Sequence, residues 1–178
     1  MSACLELSAS AIEQVVPASE PEQSQPLAVS PDQSEKPATA QASPNEQKVA
    51  LLVIAHTPSA SALKSVAEHV FGSNISLTAI DVLPGANASD STEALLGQLR
   101  ALNQGKGVLI MTDLPGASPA NVCTSAASRA RQEGIACEVV SGVNAAMLLR
   151  ALTYQDDDLE KLATAVISGA SKAVTRIE

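Results

Sequence analysis

The chain has 178 residues, 46% of them apolar and 17% charged, and a formal net charge of −8 at neutral pH. That length suffices for one ordinary domain with a full core, and the acidic balance argues against a nucleic-acid backbone as partner. With one Tyr, one Phe and no Trp, the chain lacks stacking platforms for single strands, and its core has to be built from Val, Ile, Leu and Ala.

Residues 1–48 hold six of the ten prolines and none of the nine glycines, with seven acidic residues against two basic ones. From Pro17 to Gln47 the composition is mostly Pro, Ser, Gln, Glu and Ala. Such a segment has too little apolar surface to offset its ordering entropy. We expect a disordered acidic tail over residues 1–48, with a short docking helix over residues 3–16 as a minor alternative, and one folded domain over residues 49–178. The N-terminus has no basic region, and Glu6 and Glu13 interrupt its apolar residues, unlike a secretory signal. No apolar run approaches the length of a membrane span. Cys4, Cys123 and Cys137 have no metal-ligand spacing and fit reduced thiols. The expected location is the cytoplasm, with any membrane association made through a partner.

Lys48–Ala55 is a continuous apolar run and reads as a strand buried on both faces. Pro58–Phe71 reads as a helix, with Leu63, Val66, Ala67 and Val70 on one face and Gly72 as its stop. Ser76–Leu83 reads as a second strand, ended by the Pro84-Gly85 turn. Asp90–Asn103 is a second helix, carrying Leu95, Leu99 and Leu102 on one side. Gly107–Thr112 is a third buried strand, Ser118–Gln132 a third helix and Ile135–Val140 a fourth strand. Asn144–Thr153 and Asp157–Gly169 read as further helices, and Lys172–Ile177 as a short, antiparallel last strand. This alternation predicts an α/β fold: a doubly wound, mainly parallel four-stranded sheet of order 2-1-3-4 with helices on both faces. Ligands of such sheets bind beyond the carboxyl ends of the strands, where the order reverses.

The first strand delivers His56 to that place, and the third delivers Asp113. A lone histidine is usually structural or merely exposed, and Asp113 alone could equally cap its loop. Together they are more specific. A carboxylate holding one ring nitrogen fixes the tautomer and frees the other nitrogen as a nucleophile. After Asp113 comes Leu114-Pro115-Gly116-Ala117-Ser118-Pro119-Ala120-Asn121. Here Ser118 reads as an N-cap and Pro119 as a first-turn residue. Alone this is a well-capped helix; beside His56 its free N–H groups and positive dipole end suit a phosphoryl group. His69 reads as a solvated residue near a helix end, Cys123 and Cys137 as packing, and Arg129 and Arg131 as surface charges.

These residues resemble the enzyme IIA domains of mannose-type phosphotransferase systems. In that family a buried first strand ends in the active histidine, Asp-x-x-Gly-Gly-Ser/Thr-Pro-x-Asn follows the third strand, and Gly-Val-Asn precedes a Met-Leu helix start. This chain has His56, Asp113 through Asn121, and Gly142-Val143-Asn144-Ala145-Ala146-Met147-Leu148 in the same order. The resemblance implies a phosphotransferase component without cofactor or metal. His56 would take the phosphoryl group from phosphorylated HPr and pass it to a IIB partner serving a sugar permease. Asp113 would orient the ring, and Ser118 and Thr57 would contact the phosphate. It also implies a homodimer in which Lys172–Ile177 reaches the neighbour. The chain departs from the pattern at Thr57-Pro58, where Gly usually follows the histidine, at Ala117 for the second Gly, and at Leu114-Pro115 for a bulky residue.

Three other readings compete. A stand-alone regulatory phosphoacceptor would use the same chemistry at His56 but control a binding partner, with no transport; the acidic tail and the lack of fused IIB or IIC sequence leave this open. A hydrolase using Ser118, His56 and Asp113 is disfavoured because Ala120 replaces the second glycine of a nucleophile turn. A phosphate-binding module without catalysis would keep its ligand when His56 is removed.

Overall fold

The computed structural model describes residues 47–85 and 87–177. The expectations for residues 1–46, a disordered tail and a short helix, lie outside them. In chain order the elements are β1 (Ala50–His56), α1 (Ser59–Phe71), β2 (Leu77–Val82), α2 (Ala88–Leu102), β3 (Val108–Thr112), α3 (Ser118–Gln132), β4 (Cys137–Ser141), α4 (Ala145–Thr153) and α5 (Leu159–Ala173). The four strands form one sheet of order β2-β1-β3-β4. Every neighbouring pair is parallel, so all four carboxyl ends lie on one edge of the fold.

The apolar runs of β1 and β3 make sense in this arrangement. Side chains alternate between the faces of a strand, and both faces are covered. Leu51, Val53, Ala55, Leu109 and Met111 pack on one side with Met147, Leu148, Leu162 and Val166 of α4 and α5 and with Ala60 and Ala67 of α1. Leu52, Ile54, Val108 and Ile110 pack on the other side with Leu95, Leu96 and Leu99 of α2 and Val122, Cys123 and Ala126 of α3. A one-residue slip of either central strand would exchange these two sets, so the packing holds the register.

The helices start and stop for local reasons. The Asn87 side chain accepts from the Ser89 amide at 2.9 Å, which caps α2 two residues earlier than the apolar periodicity suggests. Asn144 accepts from Met147 at 3.1 Å and caps α4. Gly169, expected as the stop of the last helix, lies inside α5. A side chain there would meet Arg150, whose Nε and Cδ stand 2.5 and 2.6 Å from the position of a Cβ. The glycine admits a neighbour and does not end the helix. α5 therefore runs on to Ala173. This corrects the expectation of a strand over Lys172–Ile177. Lys172 and Ala173 are helical, and residues 174–177 form no strand in this chain, with Val174 and Ile177 largely exposed.

Candidate functional site

β1 and β3 are adjacent, with Ile54 opposite Thr112. His56, two residues beyond Ile54, and Asp113, directly after Thr112, come together at the edge where the strands end. Asp113 Oδ2 accepts from the His56 amide at 2.9 Å and lies 2.7 Å from His56 Nδ1. Its Oδ1 accepts from the Leu114 amide at 2.8 Å. One carboxylate thus holds both the backbone and the ring of His56 while its own loop is fixed. The Asp113 side chain is 18% exposed and that of His56 46%. The carboxylate is sheltered while the imidazole faces solvent.

Burial pushes the Asp113 carboxyl up. The hydrogen bonds from the His56 amide, the His56 ring and the Leu114 amide outweigh it, so the group sits below the ordinary carboxylate range. Asp113 is then ionised at neutral pH and acts as an acceptor only. A neutral His56 places its proton on Nδ1, toward that acceptor, and leaves the Nε2 lone pair free.

The loop after Asp113 turns at Gly116, which has φ 78°, a conformation that glycine adopts without steric cost. Asn121 braces the turn through its Nδ2, which donates to the Gly116 carbonyl at 3.3 Å. The start of α3 differs from the sequence reading. The first helical bond runs from the Asn121 amide to the Ala117 carbonyl at 3.0 Å, so Ala117 is the N-cap and Ser118 the first helical residue. The correction frees Ser118: it is exposed, and its hydroxyl makes no hydrogen bond among the described residues. Early amides of a helix have no partner inside it, and Pro119 offers none.

Thr57 is exposed beside His56, and its amide donates to the Val82 carbonyl at 3.2 Å. This bond ties the β1–α1 loop to β2. The sequence reading missed Asp81 of β2. Its Oδ1 accepts from the Ala60 amide at 2.9 Å and the Ser61 amide at 3.3 Å, capping α1 from another strand. α1 has no side-chain cap of its own and no acid in its first turn, which was the available signal. A hollow of about 370 Å³ opens beside Asp113, between Ser59, Leu63 and Val66 of α1 and Val143 before α4. Exposed Leu114 and Val66 give this end of the molecule apolar surface.

The remaining residues singled out in the sequence take these places. His69 is exposed in the last turn of α1. Cys123 and Cys137 are buried, unpaired thiols, and burial pushes Cys123 up to about 12. Arg129 pairs with Glu93 on the surface, and Arg131 donates to the Cys137 carbonyl of the edge strand. Among the described residues, no three His, Cys, Asp or Glu side chains gather as a metal site would need. No helix among them is long and apolar enough to cross a membrane.

The chain is similar to known proteins in sequence and in fold. The EIIA-man family model, described as the PTS system fructose IIA component, matches residues 50–167. The mannose-specific EIIAB component of the phosphotransferase system of Escherichia coli (strain K12) is 37% identical over 110 residues, covering 62% of this chain and 33% of that protein. The chain therefore spans about a third of the length of the curated relatives it matches. Among solved structures, the mannose/sorbose specific IIA subunit from Enterococcus faecalis superposes with a TM-score of 0.66 at 23% identity, covering 74% of this chain and 96% of that one. The PTS IIA protein associated with the fucose utilization operon of Streptococcus pneumoniae gives a TM-score of 0.57 at 25% identity, over 72% and 93% of the two chains. With a family match that runs across the whole sheet, the chain belongs to the mannose-type enzyme IIA family of the phosphotransferase system.

Proposed function

We propose that this protein accepts a phosphoryl group from phosphorylated HPr on His56 Nε2 and passes it to a IIB partner. The observation that carries this reading is the 2.7 Å contact of Asp113 with Nδ1 of a solvent-facing imidazole. It leaves Nε2 as the one nucleophilic ring nitrogen. In the transfer, the Nε2 lone pair forms a bond to phosphorus as the phosphorus–nitrogen bond to the donor histidine breaks, and the electron pair of that bond returns to the donor ring. The acceptor ring becomes cationic, and the ionised Asp113 stabilises it across the Nδ1–H bond. No proton has to leave His56 during the step.

The phosphoryl oxygens need donors. Ser118, with its unengaged hydroxyl and the first turn of α3, is suited to supply them, and Thr57, exposed next to His56 in the chain, is suited to add a second hydroxyl. Exposed Leu114 and Val66, beside the hollow at Asp113, suit the docking of a protein donor over the strand ends. In the same reading residues 49–178 are the phosphocarrier domain, residues 1–48 its tail, the active form is a homodimer, and the protein works in the cytoplasm, reaching the membrane through a permease partner.

The test is incubation with phosphoenolpyruvate, enzyme I and HPr. Wild-type protein gains an acid-labile, base-stable phosphate, and His56→Ala gains none. Absence of label on the wild type would refute the transfer reading; label that persists in His56→Ala would refute the choice of residue.

A further inference from the structure

Gly142-Val143-Asn144 stands out in the sequence yet takes no part in the chemistry proposed at His56. In the structure it grips the backbone of Asp113. The Val143 amide donates to the Thr112 carbonyl at 2.9 Å, and the Gly142 amide donates to the Asp113 carbonyl at 2.8 Å. Those carbonyls belong to the two peptide planes that flank the Asp113 Cα. Peptide planes are rigid, and only φ and ψ are soft. Holding both planes therefore fixes the direction in which the Asp113 side chain leaves the backbone.

Two consecutive amides of an extended strand point to opposite sides. Gly142, with φ 82°, turns its own amide and the next one toward the same neighbour. An added Cβ would meet nothing within 4 Å there, so the backbone conformation and not the space calls for glycine. Asn144 holds the other side of this arrangement. Its Nδ2 donates to the Gly142 carbonyl at 3.3 Å, while its Oδ1 accepts from the Met147 amide. The Gly142 carbonyl and the Val143 amide are the two ends of one peptide plane. That plane is held by Asn144 at one end and by Thr112 at the other.

We propose that Asn144, acting through the Gly142–Val143 peptide, is a positioning residue that aims the Asp113 carboxylate at His56 Nδ1. The proposal rests on the reading of His56 and Asp113 as the transfer centre. The simpler role of Asn144 is to cap α4, and two substitutions separate the roles. Asp and Ser cap helices about as well as Asn. In Asn144→Asp the second oxygen cannot donate to the Gly142 carbonyl. In Asn144→Ser one short hydroxyl replaces the two atoms that now serve Met147 and Gly142 separately, and seated on the Met147 amide it falls short of the Gly142 carbonyl.

The experiment compares full-length wild type, Asn144→Asp and Asn144→Ser by thermal denaturation, by single-turnover phosphorylation from phosphorylated HPr, and by ¹⁵N shifts of the His56 ring. Both variants are expected to melt with the wild type. Both are expected to accept phosphate about 10-fold to 100-fold more slowly and to show a mixture of His56 tautomers where the wild type shows Nδ1–H. Wild-type rates and tautomer in both variants would overturn the proposal and leave Asn144 as a cap. The ring shifts do not depend on activity. If the wild type takes no phosphate on His56, the transfer reading fails, and the tautomer comparison still decides whether Asn144 aims Asp113.

Discussion

Replacing Asp113 by asparagine changes one atom and one charge. Oδ1 can still accept from the Leu114 amide, as the carboxylate does at 2.8 Å. The other position becomes an NH₂ group where Oδ2 accepts from the His56 amide and faces Nδ1. A donor then confronts the His56 N–H, and the ring can bond to it only by carrying its proton on Nε2, the nitrogen proposed to attack. Each lost charge-assisted hydrogen bond contributes about 1.5–3 kcal/mol. Two such bonds give about 3–6 kcal/mol, or about 160-fold to 25,000-fold in rate, in line with the loss when a catalytic histidine is set in the wrong tautomer. The assay is rapid-quench phosphorylation of wild type and Asp113→Asn by phosphorylated HPr. Transfer at the wild-type rate by the variant would refute the assignment of Asp113. Stability gives an independent check with a definite sign. The folded-state value of Asp113 is depressed, so its contribution is present above the unfolded value and is lost as pH falls through the folded one. Asp113→Asn is expected to be less stable than the wild type at neutral pH, with the difference closing in acid.

Because Ser118 is not an N-cap, Ser118→Ala should leave stability within about 0.5 kcal/mol of the wild type while slowing phosphorylation; a drop in melting temperature of cap size would restore the capping role. Asp81→Ala leaves the first amides of α1 unpaired and should cost about 0.5–2 kcal/mol in urea denaturation, whereas Asp81→Asn keeps an acceptor and should lose less. Gly107 has φ 87°, and a Cβ there would lie 2.6 Å from the Ala136 carbonyl oxygen. Gly107→Ala should therefore destabilise by about 2–5 kcal/mol from conformational strain and overpacking together, read as a lowered urea midpoint.

Much of the fold was legible because the chain punctuates itself. Buried strands read as unbroken apolar runs, and Gly72, the Pro84-Gly85 turn and Asn144 mark boundaries that the structure keeps within a residue or two. The last strand was misread because Gly169 carries the usual mark of a helix stop. Its reason for being glycine is Arg150, which is near in space and distant in sequence, and no local pattern reveals that. Ser118 was misread for a related reason. Ser followed by Pro is the common cap signature, but the Gly116 turn brings the Ala117 carbonyl into the first helical bond. His56 and Asp113 were legible from strand-end position alone once the strand order was assumed. Asp81 was not, because a cap supplied from a neighbouring strand leaves no spacing signature in the capped helix.

The pairing of β1 with β3 also makes the site a gauge of its own folding. His56 and Asp113 are 57 positions apart in the chain, and no local segment can bring them together. The smallest slip that keeps apolar side chains on their proper faces is two residues, which would carry Asp113 about 7 Å along the strand and out of reach of the ring. A chain that has not closed its sheet in register has no oriented imidazole to offer, so phosphate would collect on correctly assembled molecules and pass over the others.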